Sequence, residues 1–209
     1  MIKRHVVLIG IIIAVLLLLI ATSVYPGGSF FDKNSVGFGW SKNFISNLFA
    51  SKAINGLDNP SRIWADIGMI FLSISFAVFF IGFSKKIPVK SAANVIKYVG
   101  ITAMVFTFLI VTPLHDIMVT MSGTLYLVCI FYITVFILKS KLHVLKFLCI
   151  ICLLIFYYTL YLYGSGNFSF LAVMQKVTFM STIILIVCLE YFTKKEDFGE
   201  VKIVRSKVG

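Results

Sequence analysis

Asp66, His115, Asp116 and Lys176 stand within or at the rim of long apolar runs, all toward the end expected to face outward. A charge at the centre of a bilayer costs about 2.5–3.5 kcal/mol on insertion scales, so such groups are functional candidates wherever the run crosses a membrane. His115 and Asp116 are adjacent in "TPLHD". A histidine beside carboxylates suits general acid–base chemistry or weak metal binding. The candidate catalytic set is His115 as general base, with Asp66 or Asp116 orienting it. A purely structural account competes: Thr112 caps, Pro113 takes the first helical position and Asp116 complements the helix dipole. Asp116, Thr120 and Gly123 fall at i, i+4 and i+7, a stripe with a small residue that is expected to face the other helices. Asp66 and Lys176 lie about 5 and 12 Å into their runs at about 1.5 Å per residue. A lysine stem snorkels several ångströms, so the two are expected to pair or to share a polar pocket.

The elements that carry these groups follow from composition. Of 209 residues, 60% are hydrophobic and 13% charged. Soluble domains are about 45–50% apolar and about 25% charged. A spanning helix needs about 20 apolar residues. Six runs qualify: Val6–Val24, Ile63–Phe83, Asn94–Thr112, Ile117–Leu138, Leu142–Tyr163 and Phe168–Phe192. The expected fold is all-α, an integral membrane bundle of six transmembrane helices over residues 1–192. Residues 193–209 are expected to form a mobile basic cytoplasmic tail. Lys3, Arg4 and Ala21-Thr22-Ser23 have the look of a signal peptide, but the apolar core from Val6 to Ile20 reaches the upper limit for one, and the reading keeps it as a helix.

Net charge is +11, and the basic residues sit between apolar runs, which marks loop orientation rather than a nucleic-acid face. Placing the N-terminus inside puts fourteen lysines and arginines in cytoplasmic segments and four outside, with Lys176 in a span. The expected location is the cell membrane, with both termini cytoplasmic. His5 and His143 then lie inside and His115 outside, so three histidines cannot gather around zinc. No G-x-S-x-G, P-loop or H-E-x-x-H motif is present, and no cofactor is legible. Cys129, Cys149, Cys152 and Cys188 all lie in apolar runs. "CIIC" has no second ligand pair, and its cysteines are expected to pack as small apolar residues.

Residues 26–62, between the first two runs, exceed what a turn requires, and loops beyond about 12–15 residues are functional or disordered. Disorder fits poorly with Phe30, Phe31, Phe38, Trp40, Phe44, Ile45, Leu48 and Phe49. Pro26-Gly27-Gly28 ends the first helix, Phe44, Ile45, Leu48 and Phe49 share one face of a short amphipathic helix, and Asn55-Gly56 turns the chain. The loop is expected to be an ordered extracytoplasmic cap.

Together "YPGGSFFD", "GFGW", "NFISNL", "AINGLDNPS" and "TPLHD" resemble a group of bacterial six-span membrane proteins similar to domain-of-unknown-function family 998, and more remotely Frag/DRAM-like membrane proteins. The resemblance rests on Pro26-Gly27-Gly28, Asp32, Trp40, Asn43, Asn55-Gly56 and Asn59, and implies six helices and an outward polar cap. It places an aspartate where this chain has Asn47, and it brings no established reaction.

Two readings of function follow. In the first, Asp32, Trp40, Asn43, Asn47, Asn55, Asn59 and Lys176 form an outward pocket that binds a lipid headgroup, a small solute or a membrane-protein partner. In the second, His115 with Asp66 or Asp116 serves an outer-leaflet lipid hydrolase or transferase. A transporter ranks lower, because the spans lack the Gly- and Pro-rich breaks of discontinuous helices.

Overall fold

The computed structural model describes residues 5–199. It is all-α. Six helices are long and apolar enough to cross a membrane: α1 Val6–Ser23, α2 Ser61–Ser84, α3 Lys90–Leu109, α4 His115–Lys139, α5 His143–Gly164 and α6 Phe168–Phe192. The chain is a multi-pass membrane protein. Its lipid-exposed sides are aliphatic and aromatic, as on Ile12, Leu16, Ile74, Phe147 and Leu154. Tyr157, Tyr158, Tyr161 and Tyr163 are exposed on the last turns of α5, and Trp64 on the first turn of α2. Aromatic girdles of this kind settle at the membrane–water interface.

Successive helices are antiparallel, joined by short links except for the cap between α1 and α2, so α1, α3 and α5 end where α2, α4 and α6 begin. That end carries residues 26–60 and is called the cap end below. Neighbours in sequence pack together, while α6 touches α1 and α2 only lightly. Close approach depends on small residues, since lipid supplies little hydrophobic drive between helices. A Cβ on Gly68 of α2 would lie 3.2 Å from the Ala14 carbonyl of α1, and one on Gly100 of α3 would lie 2.4 Å from the Phe80 ring. The core runs through Phe79, Phe80, Phe83, Ile96, Ile130, Ile133 and Leu189. Cys129, Cys149 and Cys152 are buried free thiols within it, as expected of small apolar packers.

The opposite end is tied differently from the expectation of a mobile tail. Residues 195–198 form a 3-10 turn, and Phe198 is fully buried against Phe83, with ring centroids 5.8 Å apart. Lys86 Nζ donates to the Glu190 carbonyl at 3.2 Å and to Thr193 Oγ1 at 3.1 Å. Burial pushes the Lys86 ammonium below its ordinary pKa, while Glu190 and Asp197 pull it back up. His5 Nδ1 lies 2.6 Å from the Tyr191 hydroxyl. The tail is therefore docked as far as Gly199, and the remainder of the expected mobile segment lies outside the described residues.

The cap is ordered by its own amide side chains. Asn43 is fully buried; its Nδ2 donates to the Gly28 carbonyl at 2.7 Å and its Oδ1 accepts from Gly39 N at 2.9 Å. Asn59 Nδ2 donates toward the carbonyls of Asn47, Leu48 and Ala50, and its Oδ1 accepts from Ser61 N. Gly28, at φ 80, passes under residues 54–55, where a Cβ would lie 2.4 Å from Asn55 N. Tyr25 is buried below; its hydroxyl accepts from Ile54 N, and burial raises its phenol pKa against that bond. The expected amphipathic helix is a single 3-10 turn, Ile45–Phe49, with Leu48 and Phe49 buried. One turn suffices because the two residues plug the bundle rather than lie on a surface.

Candidate functional site

Below that plug the helices leave two open, contiguous cavities. The deeper has a volume of about 230 Å³ and sits where α6 stands away from α2 and α4. Its walls are Met69, Leu72 and Phe76 of α2, Met104 and Thr107 of α3, His115, Val119, Ser122, Gly123 and Tyr126 of α4, Phe156 of α5, and Gln175, Thr178, Phe179 and Thr182 of α6. Ile45, Ser46 and Phe49 roof it. The shallower, about 410 Å³, lies at the helix ends between the cap and the α3–α4 link, lined by Ser46, Phe49, Ser51, Arg62, Thr112, Pro113 and His115 among others. Ser46, Phe49, Ile110 and His115 line both.

His115 is the hinge of this arrangement. It is the first residue of α4, and its Nδ1 lies 3.0 Å from Asp116 Oδ1. Its Nε2 is buried and makes no hydrogen bond. A histidine held at one nitrogen by a carboxylate and lining both cavities is suited to bind a polar group or move a proton there. Tyr126 is the second such group: its hydroxyl is buried without a well-aligned partner, with Thr182 beside it. Two wall hydroxyls on α4 and α6 are paired across helices, Ser122 with Thr107 at 2.5 Å and Thr178 with Thr159 at 2.7 Å.

The expected Asp66–Lys176 pair does not form. Asp66 Oδ2 lies 3.5 Å from Arg62 Nε one turn earlier, and its Oδ1 is buried without a hydrogen bond. Lys176 Nζ donates to the Asn43 carbonyl at 2.5 Å and the Ala172 carbonyl at 2.6 Å, and lies 5.7 Å from the centroid of Phe38. The two residues start from the same end, but the cap comes between them and offers the lysine its carbonyl. The expected inward stripe of α4 is also displaced by one residue. Asp116 and Thr120 are exposed, and the cavity is lined by His115, Val119, Ser122 and Tyr126. Gly123 marks the edge of the inward face, not its centre. Nor does Pro113 open α4: the helix starts at His115, and Thr112 Oγ1 donates to the Leu109 carbonyl at the end of α3.

Of the expected binding residues, none lines either cavity. Asp32 and Asn55 close turns through Asn34 N and Leu57 N, Asn43, Asn47 and Asn59 hold the cap backbone, and Trp40 is exposed against Phe38. Of the expected catalytic residues, His115 and Asp116 are brought together, and Asp66 makes no hydrogen bond to either. Sequence reasoning missed Ser46, Arg62, Ser122, Tyr126 and Gln175. Gln175 Oε1 accepts from Ile45 N at 2.8 Å and fastens α6 to the roof. A signal was present: Gln175, Thr178 and Thr182 recur at i, i+3 and i+7 in a largely apolar helix.

Among the described residues no group of three metal-ligating side chains occurs. No protein-family model, no curated protein and no solved structure matches the chain.

Proposed function

We propose that this chain is a cell-membrane protein, with both termini cytoplasmic and the cap outside, that binds a lipid or lipid-like amphiphile in the cavity beneath the cap. The observation that carries the reading is an apolar chamber inside the bundle opening into a polar mouth at the helix ends. Ligand sites are concave and mostly apolar, with a few placed polar groups, and this chamber has that composition. The orientation rests on the lysine and arginine distribution. Kinship with family 998 is part of the proposal and adds no activity. Native mass spectrometry of the protein released from mild detergent tests the reading: a retained lipid mass is expected, and it is lost in Gly123→Leu, which narrows the chamber. A protein that carries no lipid and takes up none when offered membrane extract refutes it.

The contact between His115 and Asp116 favours a second reading, hydrolysis or transfer of a lipid ester with His115 as general base. Turnover of a fluorogenic lipid ester by the purified protein, abolished in His115→Gln, is the expected result under that reading. Equal rates in the two proteins exclude His115 chemistry.

A further inference from the structure

The two cavities differ in a way that identifies the ligand's head. The surface of the deeper chamber is mostly apolar, supplied by Met, Leu, Ile, Phe and Val side chains. The mouth offers donors: the Arg62 guanidinium, the His115 imidazole and the hydroxyls of Ser46 and Ser51. Among the described residues no aspartate or glutamate lines either cavity. Arg62 Nε lies 3.5 Å from Asp66 Oδ2, the one carboxylate paired with it among the described residues, and its side chain is half-exposed. Arginine presents a planar fork suited to carboxylate and phosphate oxygens. Depth agrees with chemistry. Arg62 is the second residue of α2 and His115 the first of α4, level with the girdle residue Trp64, where lipid headgroups lie. At about 1.5 Å per residue, Tyr126 is about 16 Å further into the bundle, room for an alkyl chain below the head.

We infer that the ligand is an anionic amphiphile: an oxyanion head, phosphate or carboxylate, held at Arg62 and His115, on an alkyl chain that fills the chamber. This rests on the reading that the cavity holds a lipid, and it adds the sign and position of the headgroup. Charge complementarity at a partly dehydrated mouth selects the head, while the chain supplies burial.

Isothermal calorimetry in neutral maltoside detergent, with probes that share one chain, separates the terms. Decyl phosphate is expected to bind at least about tenfold more tightly than decanol, the value of one good charge-assisted hydrogen bond. Decyltrimethylammonium is expected to bind more weakly than decanol, and inorganic phosphate without a chain not measurably. Arg62→Gln is expected to erase the advantage of phosphate over alcohol, and Arg62→Lys to keep part of it. The probe series on the unaltered protein stands even where a variant fails to fold. Equal binding of the three decyl probes overturns the anionic head and leaves the lipid cavity standing. Failure of all three overturns the cavity reading itself. Inorganic phosphate binding as tightly as decyl phosphate makes the mouth a free-anion site and overturns the amphiphile.

Discussion

Lys176 carries a charge about 12 Å along α6 from its cap end, at about 1.5 Å per residue. Among the described residues it has no carboxylate partner and is held by the carbonyls of Asn43 and Ala172 and the face of Phe38. Two carbonyl dipoles and a ring quadrupole replace water around the ammonium, and one of those carbonyls belongs to the cap. The lysine therefore fastens the cap to α6, next to the Gln175–Ile45 bond that does the same with a neutral side chain. Lys176→Met removes both donors and leaves the Asn43 carbonyl without this partner. A loss of about 2–4 kcal/mol is expected, from the usual value of hydrogen bonds to charged groups. It reads out as a lower melting temperature in detergent and faster proteolysis within residues 26–60. Unchanged cap proteolysis shows that the lysine is not the fastening. Reading the sequence alone singles out Lys176 as an unusual residue and yet assigns it the wrong partner. A carboxylate in a neighbouring helix is the obvious counter-ion from spacing, whereas a backbone carbonyl contributed by a folded loop leaves no mark on residue identity.

Helices were the legible elements, because a bilayer forces each apolar run to satisfy its own backbone bonds. The observed bounds differ from the expected ones mainly by short polar extensions such as Ser61-Arg62 and Lys90-Ser91-Ala92-Ala93, which hydropathy excludes and backbone geometry admits. Helix faces were harder to read. In lipid both the inward and the outward side of a helix are apolar, so the stripe along α4 could be anchored only on Gly123, and the assignment slipped to Asp116 and Thr120. Close packing is the better guide to an inward face. Gly100 shows this: its missing Cβ makes room for the fully buried Phe80 ring. Gly100→Ala is expected to cost about 1–3 kcal/mol as an overpacking change, measured by thermal unfolding in detergent. Combining it with Phe80→Leu should recover part of that loss, because the two changes share one contact. Strictly additive losses in the double variant rule out the contact as the cause.

At the scale of the whole molecule, the site could not be read from sequence because it belongs to no single element. The roof comes from a 3-10 turn, the walls from five helices, and the volume from the light contact of α6 with α2. The same architecture separates the charges, with the connections at the two ends differing in basic content. Each lysine or arginine near an anionic cytoplasmic surface gains about 1 kcal/mol, and fourteen against four is the asymmetry on which the proposed orientation rests. Under the proposed orientation the cavity mouth faces outward, where a lipid would enter from the outer leaflet. Val36, at the tip of the cap, is 93% exposed, and Lys85, at the other end of α2, is also exposed. With the four native cysteines replaced by alanine, Val36→Cys is expected to react with a membrane-impermeant maleimide in intact cells. Lys85→Cys is expected to react only after permeabilisation. The reverse pattern would turn the molecule over and place the Arg62–His115 mouth in the cytosol, so that any lipid it takes would come from the inner leaflet.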